Sequence, residues 1–446
     1  MTQKNDFSVG SVKKLIISQA VPLTLAQAVL LLYNVVDRIY IGHLDKIGDI
    51  ALTGLGITFP VIVIVAAFTS LFGTGGATLF SLARGKGDTD EAENITGNVF
   101  TALLLSSVII YALCFFFRKP ILFLFGASDE SFKYADAYLK IYLSGTAFSM
   151  LATGMSGFIN AQGFPRIGML STIVGAAVNI VLDPVFIFGL NMGVEGAAVA
   201  TVISQAVSAS LVLGFLVSKK AILRLRLCAM KLSLKRIGRI ISLGLPGFVM
   251  QGTNSLVQIT CNNQLQHYGG DLYVGIMTVL NSVREMVSLP VMGISQGAQP
   301  ILGFNYGAKK NERVKEGIRF TAMLGMVYTL VAWLVVMFIP KQLMGIFSED
   351  FTTIEVGSQM LNIYFFGFVF MAFQFAGQTA FQALGKAKQA IFFSLFRKVI
   401  IVVPLTIFLP MTALGVNGVF WAEPVSNAIG GLAAFCAMWF MIYKRL

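Results

Sequence analysis

The sequence consists mainly of long apolar runs separated by short polar or glycine-containing stretches. Of its 446 residues, 56% are hydrophobic and only 12% are charged, which is too little charge to cover two or three water-soluble domains. A bilayer offers the backbone no hydrogen-bond partners, so a run of about 20 apolar residues crosses it as a helix that satisfies its own N–H and C=O groups. The sequence therefore predicts an all-α integral membrane protein.

Roughly twelve of these runs are long enough to cross a membrane. Because this number is even, both termini are expected on the same side. The predicted transmembrane helices are 15–41, 51–82, 95–117, 134–159, 168–188, 196–217, 240–265, 273–303, 317–339, 353–383, 389–409 and 418–443.

Lysine and arginine residues are concentrated in every second connection between the predicted helices, most densely in the connector 219–239. Since basic loops are retained on the cytoplasmic side, this pattern places both termini in the cytoplasm and the multi-pass chain in the cell membrane. The formal net charge of +12 is accounted for in this way and does not indicate nucleic-acid binding. The connector is either a regulatory lipid-binding segment or a solvated stretch resting on anionic headgroups of the bilayer.

The two halves of the chain are related by a weak internal repeat, in which matching positions are separated by a nearly constant interval. Six helices per repeat is an even number, so both halves enter the membrane in the same direction. We predict two pseudo-symmetric six-helix bundles around a central cavity, namely an amino-terminal lobe (1–218) and a carboxyl-terminal lobe (240–446) joined by the basic cytoplasmic connector (219–239). Matching positions include Ile141, Tyr142 and Gly145 with Ile363, Tyr364 and Gly367, and Gly193, Val194 and Gly196 with Gly415, Val416 and Gly418.

Two acidic residues lie inside predicted helices of the first half, where a charge costs at least about 2.5 kcal/mol and so needs a reason. Asp37 lies late in the first helix and Asp183 in the fifth. Asn179 precedes Asp183 by four residues, which places amide and carboxylate on one helix face, and the following Pro184 lacks an N–H and can leave an upstream carbonyl free. Thr201 in the sixth helix can add a hydroxyl to this group.

Two carboxylates, an amide and a hydroxyl in a confined site have two possible uses. The carboxylates can accept a proton, or the same oxygens can bind a hard cation such as Na⁺. The structural alternative is that Asp37 pairs with Arg38 near the membrane interface and that Asp183 only bonds to neighbouring helices.

The second half carries mainly amides in its predicted helices. They either line a wet, substrate-binding cavity or form ordinary hydrogen bonds between helices. The candidates for a cavity lining are Gln251, Gln258, Asn262, Gln374 and Gln378.

Five charged residues also lie in predicted helices of the second half. A mutual ion-pair network is the simplest interpretation, although Glu285 is also a candidate for the cavity lining. The five residues are Arg284, Glu285, Arg397, Lys398 and Glu423.

The sequence contains no motif for ATP binding or for catalysis. The stretch LARGKGD (82–88) lacks the earlier glycine and the final serine or threonine of a phosphate-binding loop. No nucleophile with a nearby base and no metal-binding cluster is recognisable, so we expect a protein that is not an enzyme and has no cofactor. An ion gradient is then the expected energy source.

Several longer motifs make the chain similar to a known family. They are VDRIYIGHL (36–44), ITFPV (57–61), NAQGFPR (160–166), NIVLDPVFIFG (179–189), GVEGAAVAT (193–201) and GISQGAQPILGFNYGAKK (293–310). With these motifs the chain resembles, over both halves, the multidrug and toxic compound extrusion (MATE) family of secondary transporters, of the bacterial or archaeal type.

This resemblance implies a function and a site. It implies export of amphipathic, often cationic compounds in exchange for H⁺ or Na⁺, by a protein that is a monomer. By motif position, the ion-coupling residues and possible Na⁺ ligands are Asp37, Asn179, Asp183 and Thr201. A lipid or lipid-linked oligosaccharide flippase of related architecture is the alternative function.

The chain departs from some members of the family in its second half. Those members carry a glutamate on helix seven and an aspartate on helix ten. Here helix seven has no acidic residue, and helix ten has only Glu355 at its start. Coupling is therefore expected to rest on the amino-terminal lobe alone.

Overall fold

The computed structural model describes residues 5–44, 48–348 and 350–446, and within these ranges it contains helices and connections but no strand. The all-α prediction is confirmed. The described residues form two compact units. The first contains Leu25–Gly247 and the residues up to Val9, and the second contains Gly10–Thr24 and Phe248–Leu446.

Eight helices make up the first half. A π-helical segment, Val185–Gly189, directly follows the seventh. The helices are α1 (Val12–Gly42), α2 (Gly48–Gly85), α3 (Thr89–Phe116), α4 (Arg118–Leu124), α5 (Asp129–Ser144), α6 (Thr146–Ala161), α7 (Pro165–Pro184) and α8 (Val194–Val217).

Eight further helices make up the second half. A second π-helical segment, Phe396–Val402, lies between two of them, and 3₁₀ turns lie at Phe368–Phe370 and Leu409–Met411. The helices are α9 (Leu234–Gly307), α10 (Asn311–Phe338), α11 (Pro340–Gly345), α12 (Phe351–Phe365), α13 (Met371–Ala383), α14 (Ala387–Leu395), α15 (Val403–Phe408) and α16 (Asn417–Met441).

Within the described residues, eight helices are long and apolar enough to cross a membrane, and a pair bent by 41°, α12 with α13, adds a ninth. The other three predicted spans fall where the helices are divided differently. The span 134–159 is split between α5 and α6 at Gly145, and the spans 240–265 and 273–303 both lie in α9, whose backbone is non-helical at Gly270. A multi-pass helical fold is thus established, and the number twelve stays a prediction.

The internal repeat is visible in the helix boundaries. Helices α10, α11, α12 and α14 begin at one constant interval after α3, α4, α5 and α7, the same interval that separates Gly145 from Gly367 in the sequence. Turns repeat as well, because Gly163 and Gly385 both have positive φ, as do Gly193 and Gly415. Only glycine adopts such angles without strain, so these residues end one helix and start the next at equivalent places in both halves.

The compact units do not share the limits of the predicted lobes. Helix α9 begins at Leu234, inside the predicted connector 219–239, and residues up to Gly247 belong to the first unit. Conversely, the beginning of α1 belongs to the second unit. The division into lobes of 1–218 and 240–446 stays a prediction for the arrangement in the membrane.

The connector is packed against α3 instead of lying free in solvent. The side chain of Asn98 holds three of its backbone groups: Nδ2 donates to the carbonyls of Ala229 (3.1 Å) and Lys231 (3.0 Å), and Oδ1 accepts from the N–H of Ser233 (2.9 Å). Four apolar connector side chains are buried, namely Ala221, Leu223, Leu225 and Ala229. This backbone is therefore fixed by hydrogen bonds while most of the basic side chains of the connector stay exposed, and both interpretations of the connector stay predictions.

Acidic residues at the start of α3 bind the basic side chains of the connector. Glu91 accepts hydrogen bonds from Arg236, the shortest at 2.7 Å, and Glu93 pairs with Arg226 at 2.9 Å. Negative charge is favourable in the first turn of a helix, so Glu91 suits its place in α3 as well as its partner.

Asn98→Ala is expected to release the connector. The change removes three hydrogen bonds to the connector, each worth about 1 kcal/mol net, and leaves its backbone groups without partners. Limited trypsin digestion should then cut the lysine- and arginine-rich connector faster than in the wild type. Asn94→Ala is the matched control, because Asn94 contributes to this network only its backbone carbonyl. Equal digestion of the two variants would show that Asn98 does not hold the connector.

Candidate functional site

The second part of α1 places Tyr33 and Asp37 on one helix face, because they are four residues apart. Asp37 is buried, with 8% of its surface exposed. One turn further on, the Tyr40 ring meets the ring of Phe188 edge to face at 6.3 Å. Since Phe188 lies in the π-helical segment after α7, this contact holds the end of α1 against the end of α7.

The end of α7 carries the second carboxylate. Asn179 and Asp183 are both buried, and Asn179 Nδ2 donates to Asp183 Oδ1 at 3.2 Å. Pro184 lacks an N–H, and the chain continues as a π-turn in which the Leu190 N–H donates to the carbonyl of Val185 at 2.9 Å. Such π-turns occur frequently at functional sites because they change the direction of side chains within a helix.

Three buried oxygens in this region have no hydrogen-bond partner among the described residues: Oδ1 of Asp37, Oδ1 of Asn179 and Oδ2 of Asp183. The two carboxylates are close enough to interact electrostatically. Burying such acceptors without a partner is costly, and two neighbouring carboxylates add repulsion. A bound proton or hard cation gives these oxygens a partner and also reduces the repulsion between the carboxylates. The donor set therefore fits either H⁺ or Na⁺.

The alternative in which Asp37 pairs with Arg38 receives no support from a direct ion pair, although Arg38 attracts Asp37 electrostatically. Within the described ranges, no ion pair of 4 Å or less joins Asp37 to Arg38, whose side chain is exposed. The predicted residues Asp37, Asn179 and Asp183 are instead brought together.

Tyrosines complete the region, and sequence reasoning missed them. Tyr33 interacts electrostatically with both carboxylates. On α5, Tyr138 and Tyr142 stack with ring centroids 6.0 Å apart, and the Tyr138 hydroxyl interacts with the buried Thr201 side chain on α8. In the sequence, the four-residue spacing of Tyr138 and Tyr142 indicates only a shared helix face, as ordinary packing does. Thr201 is thus connected to the site through a tyrosine.

The amides predicted for the second half do not form a common site by direct contact. On α13, Gln378 Nε2 donates to the Ala390 carbonyl of α14 at 3.1 Å, which is an ordinary bond between helices, while Oε1 of Gln374 and of Gln378 have no partner in the described part of the chain. On α9, Gln258 is exposed, and Gln251 and Asn262 are half-buried. Substrate contact by any of them stays a prediction.

The charged residues of the second half form the expected ion-pair network in part. Nη1 of Arg284 and Nη1 of Arg397 each lie 3.1 Å from the same oxygen of Glu423, Oε1. Arg397 Nη1 also donates to Asn427 Oδ1 at 2.6 Å. Glu285 is exposed and makes no ion pair within the described ranges, so its place in a cavity lining stays a prediction.

Comparison with known proteins gives consistent relatives along the whole chain. The model of the MatE family matches residues 22–185 and 246–408. The multidrug export protein MepA of Staphylococcus saprophyticus subsp. saprophyticus is 25% identical over 436 residues, which is 98% of this chain and 95% of that protein.

Two solved structures share the fold. The MATE multidrug transporter DinF-BH is 35% identical with a TM-score of 0.88, covering 96% of this chain and 95% of that chain. A MOP superfamily transporter from Pyrococcus furiosus has a TM-score of 0.91 at 24% identity, covering 100% of this chain and 99% of the other, and supports the fold alone.

Proposed function

The chain belongs to the MatE family, and from this premise we propose that it is a cation-coupled efflux antiporter for amphipathic, often cationic compounds. The observation that carries the proposal is the group of three buried, unpartnered oxygens on Asp37, Asn179 and Asp183. A transport protein needs such a group wherever an ion must bind and leave. The similarity to MepA, a multidrug export protein, and to DinF-BH, a multidrug transporter, supports the substrate class.

Ion binding is proposed to act on the conformational equilibrium of the protein. With the ion bound, repulsion between Asp37 and Asp183 falls and the packing of α1 against α7 becomes favourable. Without the ion, a conformation that hydrates the carboxylates is favoured. A compound that binds one conformation more strongly than the other then moves against its gradient as the ion moves with its own.

The residues allow either coupling ion. As proton acceptors, Asp37 and Asp183 share one or two protons, and Tyr33 and Tyr138 limit the entry of water. As Na⁺ ligands, the carboxylate and amide oxygens supply a hard donor set, with Thr201 available as a further oxygen. Both mechanisms use the same side chains and differ in the ion that must be supplied.

The rest of the proposal concerns the arrangement in the cell. Twelve membrane crossings in two lobes, with both termini in the cytoplasm of a bacterium or archaeon, fit the distribution of basic connections. A monomer is sufficient, since the residues of the proposed ion site all lie in one compact unit. The required partners are the lipid bilayer and small amphipathic molecules.

Gradient-driven dye movement in proteoliposomes tests the function. Purified protein is reconstituted, a pH gradient and a Na⁺ gradient are imposed separately, and the movement of ethidium is followed by fluorescence. We expect uphill movement under one gradient, which also identifies the ion. Movement under neither gradient, combined with translocation of a fluorescent phospholipid, would replace the proposal by a lipid flippase.

A further inference from the structure

A group of basic side chains lies in the second unit and has no role in the proposed coupling. It consists of Arg284 on α9 and of Arg397 and Lys398 in the π-helical segment between α14 and α15, and is called here the basic cluster. Its one buried carboxylate is Glu423 on α16, which both arginines share through a single oxygen.

The charges of the basic cluster do not balance. Two arginines and one lysine interact with the carboxylate of Glu423, and among the described residues the only other acid that interacts with them is Glu285, which is exposed. When Lys398 is protonated, one positive charge remains in excess even if Glu285 is counted. In the described part of the chain, no hydrogen bond or ion pair engages Lys398, which is half-buried. An uncompensated cation inside a membrane-spanning region is costly and marks a place where an anion is stabilised.

One residue of the basic cluster's surroundings and one residue of the proposed ion site occupy equivalent positions in the two repeats. At the interval of the repeat, Glu423 is the counterpart of Thr201, and Tyr364 is the counterpart of Tyr142. In the second half, Glu423 and Tyr364 both contact Arg284, whereas Thr201 and Tyr142 in the first half are connected to the carboxylate region through Tyr138. Each unit thus contains one polar site, and the charged residues of the two sites have opposite sign.

The accessibility of the cluster differs between its two arginines. The Arg284 side chain is 36% exposed and that of Arg397 is 12% exposed. The Arg284 guanidinium lies 5.7 Å from the centre of the Tyr364 ring, so one of its faces already lies against an aromatic ring. The Tyr364 hydroxyl donates to Asn281 Oδ1 at 3.3 Å, which fixes the ring. A planar guanidinium beside a lysine ammonium is suited to a carboxylate, sulfonate or phosphate.

We propose that the basic cluster binds the oxyanion group of an acidic or zwitterionic amphiphile, with Lys398 and Arg284 as its direct contacts. Arg397, more buried and held by Glu423 and Asn427, positions Glu423 and through it Arg284. The inference extends the proposed function, on which it rests for the choice of amphiphiles, to a second substrate class. It depends on binding alone and not on coupling to an ion.

Two rhodamines that differ by one group provide the test. Rhodamine 6G is an ethyl ester and a cation, and rhodamine 19 is the corresponding free acid with a carboxylate. Binding of each dye is measured by fluorescence anisotropy with the purified full-length protein in nanodiscs of phosphatidylcholine. Lys398→Gln is expected to weaken binding of the acid about tenfold, since one charge-assisted contact is lost, and to leave binding of the ester unchanged.

Two further variants separate this role from a structural one. Lys398→Arg keeps the charge and should restore binding of the acid. Lys388→Gln removes an exposed lysine of the neighbouring α14 and should change neither dye. An equal loss for both dyes with Lys398→Gln, or no binding of the acid to the wild type, would overturn the proposal. Failure of the ester alone to bind would count against the proposed multidrug function and leave the acid measurement valid.

The same preparation distinguishes the two sources of an oxyanion. Nanodiscs that contain phosphatidylglycerol offer a lipid phosphate beside the free dye. Competition that weakens acid binding in the wild type and disappears in Lys398→Gln would support the cluster as an oxyanion site and identify a lipid as one occupant. The absence of competition, with acid binding still dependent on Lys398, supports the soluble amphiphile.

Discussion

Asp37→Asn is expected to reduce gradient-driven uphill transport strongly while dye binding persists. The amide can neither accept a proton nor supply negative charge to Na⁺, so the conformational equilibrium no longer responds to the ion. Coupling free energies between two sites are typically about 1–3 kcal/mol, so uphill accumulation should fall by about 5- to 150-fold. The measurement is dye accumulation in proteoliposomes under the effective gradient.

The controls for this prediction lie in the same unit. Glu195→Gln removes an exposed carboxylate from the first turn of α8 and should leave accumulation unchanged. Asp183→Asn should resemble Asp37→Asn, and the double variant should lose little more than either single variant, because the two carboxylates act as a pair. Full accumulation by Asp37→Asn would remove this residue from the coupling mechanism.

Gly244→Ala is expected to disrupt the first unit. Helix α2 and the first turns of α9 cross in direct backbone contact, where a Cβ on Gly244 would overlap the carbonyl oxygen of Leu71 and lie 2.6 Å from its carbon. No side-chain rotation relieves an overlap with backbone, so the helices must separate, at a cost of about 3 kcal/mol or more. The apparent melting temperature of the purified protein should fall, or folded protein should not be recovered.

A matched control lies two turns earlier in the same helix. A Cβ on Gly238 would meet no atom within 4 Å, so Gly238→Ala adds the same methyl group without a clash. It should leave the protein as stable as the wild type or stabilise it by about 0.5–1 kcal/mol, because alanine restricts the unfolded chain more than glycine does. Equal melting temperatures for the two variants would show that the contact at Gly244 is not close.

Much of the candidate site was predictable because the cost of placing a charged residue in an apolar run is recognisable within a single segment of the sequence. Asp37 and Asp183 were recognisable from their place in apolar runs, and the four-residue spacing from Asn179 placed the amide on the face of Asp183. The hydrogen bond of 3.2 Å between Asn179 and Asp183 follows from helix geometry alone. The tyrosines were not recognisable, because Tyr33 and Tyr138 occur in segments where a tyrosine that packs between helices gives the same pattern.

The contacts of the connector and of the basic cluster required the tertiary structure. Asn98 bonds to groups 131 to 135 residues away, and Arg284 bonds to Glu423 over 139 residues. Charge counting in the sequence gave the right types of partner for the arginines. It gave no indication that both arginines share one oxygen of Glu423, or that Lys398 has no hydrogen bond or ion pair among the described residues.

The sequence by itself determined the helical membrane fold, its repeat and the carboxylates of the proposed ion site. These depend on hydrophobic runs, on spacing and on the cost of a charge in lipid, all of which are recognisable from residue types and their positions in the sequence. The tertiary structure decided which polar atoms satisfy one another and which stay without a partner. That depends on how helices far apart in the chain approach each other, since a hydrogen bond forms only within about 3.5 Å and no local pattern records that distance.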